Sequence, residues 1–216
     1  MDNYLLAYYQ AIEDGSIVVG KWIRMFYRYI ITGLEKQSFF FDVKKASKAI
    51  RYIETFCHHC EGRSDVIKLE LWQKAFVSVV FGILDGIGNR QFREVLLVVA
   101  RKNGKTLFAS AIISYCTFMD GEYGAKTYCV APKLDQADLV YQAFYQSACN
   151  EPELASRIKS RKSDLYVEAT NSSIKKIAFN AKKSDCCLGR ASLPRAMSQA
   201  PSRHSRPTPS QREIHP

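Results

Sequence analysis

Apolar residues recur at helical spacing along the first part of the chain. Residues 4–56 are therefore predicted to be mostly helical, with Asp42 as the N-cap of a later helix in this region. A further helix is predicted over about residues 69–84, and "DGIGNR" at 85–90 ends it with two glycines. The apolar faces predicted for these helices are Trp22, Phe26, Tyr29 and Ile30, then Val43, Ala46, Ile50 and Ile53, and then Trp72, Phe76, Val79 and Ile83.

The pattern changes after residue 94. Val95 to Ala100 has no polar interruption, which predicts a parallel strand that is covered on both faces. Helical spacing follows from Leu107 to Phe118, and "AKTYCVAP" at 125–132 predicts a second strand, so this segment forms a β-α-β unit. A helix over about 134–149 and a hairpin or two strands within 165–180 follow. We expect an α/β fold with a parallel sheet, preceded by an N-terminal helical region.

The composition narrows the class of protein. A chain of 216 residues buries one sizeable core, and its longest apolar run, residues 75–84, is too short to cross a bilayer. The first residues lack the basic segment of a secretory signal, and seven irregularly spaced cysteines favour a reducing compartment. We therefore expect a soluble protein that is not exported.

The formal net charge of +10 suggests a polyanionic partner, because clustered lysine and arginine release counterions from phosphates. Part of this charge comes from residues 190–216, which hold five arginines, one glutamate, no lysine and five of the seven prolines. Such a tail is predicted to be disordered. The abrupt change in composition also suggests the hypothesis of a shifted reading frame after about residue 185, which sequencing the gene there would test.

The segment "CHHC", Cys57 to Cys60, holds four potential zinc ligands in consecutive positions. Tetrahedral sites usually combine two ligand pairs that are separated by an intervening stretch, and no second pair lies at that spacing. The polar end of a helix is therefore the favoured interpretation, and a zinc-binding interaction module is the alternative.

A candidate phosphate-binding loop follows the predicted strand. In "VVARKNGKT", residues 98–106, Gly104, Lys105 and Thr106 match the end of the pattern G-x-x-x-x-G-K-[ST], although Val99 stands where the first glycine belongs. In such a loop, backbone N–H groups and a helix start cradle a phosphate, lysine reaches the β/γ oxygens and threonine binds Mg²⁺. The predicted strand before the loop and the helix after it supply the required context.

Three ordered motifs, "LWQKAF", "VVARKNGKT" and "TYCVAPKLDQA", together resemble the ATPase domain of the tailed-bacteriophage or prophage terminase large subunit, the motor that packages DNA. In that family the loop commonly lacks the first glycine and carries an arginine before Gly-Lys-Ser/Thr. The resemblance implies a P-loop NTPase-like fold and a site for ATP and Mg²⁺. The residues that it implies are Lys105 on the β/γ-phosphates, Thr106 on Mg²⁺, the backbone of Asn103 and Gly104 as the cradle, Arg101 at the γ-phosphate, and Gln73 at the adenine edge.

Each implied role has a simpler alternative. Arg101 could be a solvated turn residue, and Gln73 a helix-surface residue. Lys133 and Gln136 could couple the second strand to DNA or to the nucleotide, or could simply begin a solvated helix. The basic runs at 158–163 and 174–183 could face double-stranded DNA or protect a strand edge from unwanted pairing.

One part of the family pattern is missing. Hydrolysis also requires an Asp-Glu pair after an apolar strand, and none occurs where "IAFNAKKSD" runs into "CCLGRASLPRAM". We therefore predict a helical region at 1–60, a partial ATPase domain with an incomplete parallel sheet at 61–185, and a divergent tail at 186–216. The expected function is ATP binding without hydrolysis, in a family whose full-length members bind double-stranded DNA, a portal protein and a small terminase subunit in the host cytoplasm. The alternative is a non-catalytic nucleotide- or DNA-binding protein.

Overall fold

The structure, a computed structural model, describes residues 3–161 and 163–179, so the predicted tail lies outside the described residues. The helices are α1 (Tyr4–Glu13), α2 (Lys21–Glu35), α3 (Val43–Phe56), α4 (Leu71–Gly82), α5 (Lys105–Phe118), α6 (Leu134–Cys149) and α7 (Pro152–Ala155). The strands are β1 (Phe40–Phe41), β2 (Ile83–Leu84), β3 (Lys126–Ala131), β4 (Ile158–Ser160), β5 (Leu165–Val167) and β6 (Ser172–Ala178). The predicted helical region and the α/β fold are confirmed.

A local sequence signal explains where α3 begins. The Asp42 carboxylate accepts hydrogen bonds from the backbone N–H groups of Lys44 and Lys45, at 2.9 and 3.0 Å, so Asp42 caps α3 as predicted. Behind this cap, Ile50 and Ile53 are buried on one face of α3. The cap and the apolar face together fix the start of α3 and the side that it buries.

The predicted face of α2 is partly wrong. Ile30 is fully buried, but Trp22 and Tyr29 are 76% and 57% exposed, and the buried face includes Tyr27 and Gly33 instead. This helix is apolar around much of its circumference, so the sequence periodicity cannot decide which side faces the core.

The main sheet has four strands in the order β3-β6-β5-β4. β3 and β6 pair in parallel from Lys126 opposite Ser173 to Ala131 opposite Ala178, whereas the β4–β5 and β5–β6 pairs are antiparallel. α6 packs against both β3 and β6, and α5 packs against α6. The sheet is therefore mixed, with a single parallel pair among the described strands.

The strand predicted for Val95 to Ala100 is not formed in the described part of the chain. Residues 94–100 form neither a strand nor a helix, and Leu96 and Val98 are 87% and 83% exposed. A strand needs a hydrogen-bonded neighbour, and the sheet as described ends at β3, which has only β6 beside it. The apolar run indicates a segment suited to burial, but no strand among the described residues pairs with it.

Two apolar clusters hold the helices together. The larger cluster joins α3, α4, α5 and α6 to the sheet, and the Tyr52 hydroxyl of α3 hydrogen bonds to the Ser114 hydroxyl of α5 at 2.9 Å. The smaller cluster joins α1 and α2 to α4 through side chains that include Ile12, Ile30 and Val79. α4 contributes to both clusters and links the N-terminal helices to the rest of the protein. No helix in the described ranges is long and apolar enough to span a membrane.

Replacing Gly33 of α2 with alanine should destabilise the protein, although alanine favours helices. A Cβ atom at Gly33 would lie 2.2 Å from the ring of Phe39, which is only 2% exposed and therefore cannot swing into solvent. We expect a loss of about 1–3 kcal/mol in the free energy of unfolding, the usual cost of overpacking. Urea denaturation would measure it, with Gly20→Ala as the control because its added Cβ meets no atom within 4 Å. An equal effect of the two substitutions would contradict the packing argument.

Candidate nucleotide-binding site

Residues 101–104 form an exposed turn that leads directly into α5. Lys102 and Gly104 have left-handed backbone conformations, with φ angles of 66° and 63°, and the Asn103 amide donates to the Ala100 carbonyl at 3.4 Å. A glycine adopts this conformation without steric cost, whereas a lysine in it is uncommon. In turns of this kind, successive backbone N–H groups point to the same side and form a concave surface that can bind an anion.

The start of α5 adds to this anion-binding character. Lys105 is its first residue, and the first backbone bond of the helix runs from the Phe108 N–H to the Gly104 carbonyl at 2.9 Å. The N–H groups of the preceding helical residues have no acceptor within the helix, and the first turn contains no acidic residue. The positive end of the helix dipole therefore faces the turn, and no acidic side chain in the first turn of α5 offsets its charge. Lys105 is exposed at the same place. These features fit the phosphate groups of a nucleotide.

α4 begins beside the same end of α5. The Trp72 ring of α4 lies 5.8 Å from the Phe108 ring, and the Phe76 ring lies 5.6 Å from it, measured between centroids. Phe108 is one helical turn beyond the loop, so Gln73, the neighbour of Trp72, lies at the loop end of α5.

Gln73 also has a local structural role. Its side-chain oxygen accepts a hydrogen bond from the Glu70 backbone N–H at 2.9 Å and forms part of the capping box at the start of α4. The capping bond uses the amide oxygen and leaves the amide N–H₂ group to donate elsewhere. Gln73 therefore lies near the loop end of α5, and its contact with adenine stays a prediction.

The acidic residues that follow α5 lie at its other end. α5 has 14 residues and rises about 1.5 Å per residue, so Lys105 and Phe118 are about 20 Å apart. Asp120 comes just after this helix, and its carboxylate pairs with Arg90 in a site where the Asp120 side chain is 6% exposed. Burial is the main cause that raises the pKa of the nearby Glu122 carboxyl, and the negative charge of Asp120 raises this pKa further.

Glu168 lies at this distant end as well. The turn that contains it is bound to the chain just after α5, because the Gly124 N–H donates to the Thr170 carbonyl at 2.7 Å. The Thr170 hydroxyl also donates to the Thr117 carbonyl at 3.3 Å. Glu168 itself forms an ion pair with Lys159 that is exposed to solvent. None of these three carboxylates, those of Asp120, Glu122 and Glu168, is placed to act at the loop.

The loop after β3 lies on the same side of the sheet as the candidate phosphate loop. α5 runs away from its N-terminal loop and β3 returns, so the carboxyl end of β3 faces the loop end of α5. Lys133, the N-cap residue of α6, and Gln136 are both exposed here, as is Asp135 in the first turn of α6. A role for Lys133 and Gln136 in coupling β3 to DNA or to the nucleotide stays a prediction.

The basic side chains of β4 and β6, and Arg161 just after β4, have partners within the described residues. Lys175 lies 3.9 Å from Asp164 and Lys176 lies 2.6 Å from Asp138, and the Arg161 guanidinium lies 3.6 Å from the centre of the Tyr166 ring. Lys162 is outside the described residues. β4 is an edge strand, so the first basic run agrees with the interpretation as a strand edge. That interpretation is wrong for residues 174–178 of the second run, because β6 is paired with β3 on one side and with β5 on the other. Contact of either run with DNA stays a prediction.

The side chains of the "CHHC" segment contact neighbouring parts of the fold. The His58 ring nitrogens lie 2.7 Å from the Ser64 carbonyl and 3.1 Å from the Glu151 carboxylate, and the Cys60 thiol donates to the Ala143 carbonyl at 3.0 Å. Burial raises the pKa of the Cys57 thiol to about 12. Residues 3–161 and 163–179 contain no group of three or more potential ligands that could hold a metal ion.

Comparison with known proteins identifies two similarities. The family described as "Terminase large subunit, ATPase domain" matches residues 71–190, which is more than half of the chain. The crystal structure of the HK97 bacteriophage large terminase is similar in fold, with a TM-score of 0.54 and 21% sequence identity over 62% of this chain and 27% of that protein. The chain thus corresponds to about a quarter of the length of the HK97 protein. No curated protein matches the chain.

Proposed function

Because the chain belongs to the terminase large subunit ATPase-domain family, we propose that residues 101–106 bind the phosphates of ATP as part of a DNA-packaging motor. The resemblance predicted from the three sequence motifs is confirmed by the family match. One observation supports this proposal above all. The exposed turn, in which Lys102 and Gly104 have left-handed backbone conformations, leads directly into the N-terminus of α5, whose first turn contains no acidic residue.

The residues at this junction suit separate parts of the ligand. The backbone N–H groups of Asn103 and Gly104 would cradle the phosphates, and the exposed ammonium of Lys105 would reach the β/γ oxygens. The hydroxyl of Thr106, in the first turn of α5, would bind Mg²⁺, which neutralises phosphate charge when it is present. Arg101, exposed at the other side of the turn, would contact the γ-phosphate.

Gln73 would recognise the adenine edge with its amide N–H₂ group. Its position next to Trp72, whose ring packs on Phe108, keeps it at the loop end of α5. Because the Gln73 oxygen already accepts the Glu70 N–H, the side chain would be oriented before the nucleotide arrives.

We further propose that the chain binds ATP without appreciable hydrolysis. Asp120, Glu122 and Glu168 lie at the far end of α5, and the sequence contains no Asp-Glu pair. Positioning and charge stabilisation supply most of the catalysis in phosphoryl transfer. A site that holds the phosphates but does not orient water should therefore retain its ligand intact.

The partners follow from the family rather than from a contact in the structure. We propose double-stranded DNA as the polymer on which the full-length motor acts, with a portal protein and a small terminase subunit as protein partners in the cytoplasm of the bacterial host. The net charge of +10 supports an interaction with a polyanion.

Replacing Lys105 with alanine should weaken ATP binding by about 1.5–3 kcal/mol, or about 10- to 150-fold in the dissociation constant. The reason is the loss of a charge-assisted hydrogen bond to phosphate at an exposed position where the fold does not depend on the side chain. Titration with a fluorescent ATP analogue would measure the change.

Lys126→Ala is the matched control for this titration. It removes the same charge from an exposed position at the start of β3, which lies at the far end of α5 from the loop. Equal affinities of the wild type and Lys105→Ala, with both proteins folded, would refute the assignment of the loop.

A further inference from the structure

Asn103 is followed directly by a glycine, and both residues lie in the exposed turn before α5. Of the asparagines in the sequence, this is the only one that a glycine follows. The backbone nitrogen of the next residue can attack the side-chain amide of an asparagine, and a glycine leaves this approach open because it has no Cβ atom. The Asn103-Gly104 pair therefore has the chemistry for deamidation within the chain.

The nucleophile of this reaction is the Gly104 backbone nitrogen. Its N–H group donates to no acceptor among residues 3–161 and 163–179. Loss of the proton leaves a negative charge on the nitrogen, which lies at the positive end of the α5 dipole and next to the exposed Lys105. The same features that favour a phosphate at this turn therefore also stabilise the anion that attacks.

The Asn103 side chain, which would be attacked, is held only weakly. Its amide nitrogen donates to the Ala100 carbonyl at 3.4 Å, which is longer than a normal hydrogen bond, and the amide makes no other hydrogen bond to a described residue. Rotation of this side chain toward the Gly104 nitrogen therefore sacrifices little. In contrast, the Asn171 side-chain oxygen accepts a hydrogen bond from the Tyr166 hydroxyl at 2.7 Å.

We propose that Asn103 is a site of spontaneous deamidation. The deprotonated Gly104 nitrogen forms a bond to the Asn103 Cγ atom, and the bond between Cγ and Nδ2 breaks as Nδ2 takes up the proton and leaves as ammonia. The five-membered succinimide that results adds one water molecule and opens at either of its carbonyl groups. Opening restores the Gly104 N–H and gives an aspartate or an isoaspartate in place of Asn103, with water as the only co-reactant.

Either product would impair the phosphate-binding loop, a consequence that rests on the proposed function. The new carboxylate would repel the phosphates that Lys105 attracts. Isoaspartate also adds a methylene group to the main chain, which would displace the backbone N–H groups of the cradle. Bound ATP would in turn slow the reaction, because a phosphate oxygen that accepts the Gly104 N–H keeps this nitrogen from attacking.

The test incubates the purified full chain in mildly alkaline buffer without nucleotide, digests it at acidic pH and measures deamidation by mass spectrometry. We expect Asn103 to react about tenfold faster than Asn171 or more, which corresponds to a barrier lower by about 1.4 kcal/mol. Gly104→Ala should slow the reaction of Asn103 about tenfold, because a Cβ atom obstructs the attack. Gly62→Ala is the matched control, since Gly62 also has a positive φ angle, 72°, and should leave the rate unchanged.

Equal rates at Asn103 and Asn171 in the folded chain would overturn the proposal, as would equal rates in the wild type and Gly104→Ala. Reaction of Asn103 only in the urea-unfolded chain would also overturn it, because the folded turn would then not support the attack. Saturating ATP with Mg²⁺ should slow the reaction of Asn103 about tenfold. Deamidation of Asn103 at a rate that ATP leaves unchanged would support the modification site and refute nucleotide binding at this loop.

Discussion

Replacing Arg90 with methionine should lower the free energy of unfolding by about 3–5 kcal/mol, the cost of leaving a buried charge without its partner. The Asp120 carboxylate that would remain is 6% exposed and follows the C-terminus of α5, where the helix dipole disfavours negative charge. Arg90 also lies over the Phe81 ring at 4.9 Å. Through these contacts it attaches the turn after β2 to the end of α5.

Urea denaturation at neutral pH would measure the loss, and two variants separate its causes. Lys159→Met removes the cation of the exposed pair with Glu168, so it should leave the unfolding midpoint unchanged. The double variant Arg90→Met with Asp120→Leu removes both buried charges and should recover part of the lost stability. Failure of the double variant to recover any stability would show that packing of Arg90, rather than its charge, supports this contact.

The purified chain should bind ATP but release almost no phosphate, and a chimera with an added acidic motif should hydrolyse it. In the chimera, residues after 185 are replaced by a family sequence in which four apolar residues precede Asp-Glu. Phosphate release should rise about a hundredfold or more, the usual contribution of a positioned catalytic group. A phosphate-release assay in the presence of Mg²⁺ would measure both proteins.

The control for the chimera is its own Lys105→Ala variant, which should lose the gained activity. Robust hydrolysis by the original chain that disappears on Lys105→Ala would contradict the proposal. In that case the first carboxylates to replace would be Asp135 and Asp138, since both belong to the first part of α6, on the loop side of the sheet.

Features that depend on adjacent residues could be predicted from the sequence. Asp42 caps α3, β3 and α6 lie where the pattern places them, and Gly104-Lys105-Thr106 stands at the start of a helix. Each of these depends on backbone hydrogen bonding or side-chain spacing within a few residues. The family resemblance added the roles of Arg101 and Gln73, which local spacing alone does not supply.

Features that depend on distant segments could not be predicted. Val95 to Ala100 has the composition of a buried strand, but whether it forms one depends on a neighbour elsewhere in the chain. Arg90 and Asp120 are 30 positions apart, and nothing in the sequence pattern pairs them. The exposure of Trp22 could not be predicted from the sequence either, because periodicity identifies an apolar face of a helix but not whether another segment covers it.

Amide hydrogen exchange followed by mass spectrometry would test most directly whether the loop at the start of α5 binds nucleotide. With ATP and Mg²⁺ added, we expect slower exchange in peptides that cover residues 101–107 and 71–76. This protection should be lost in Lys105→Ala and retained in Lys126→Ala. Protection confined to other segments, such as residues 158–161, or protection of the loop that survives Lys105→Ala, would refute nucleotide binding at this loop.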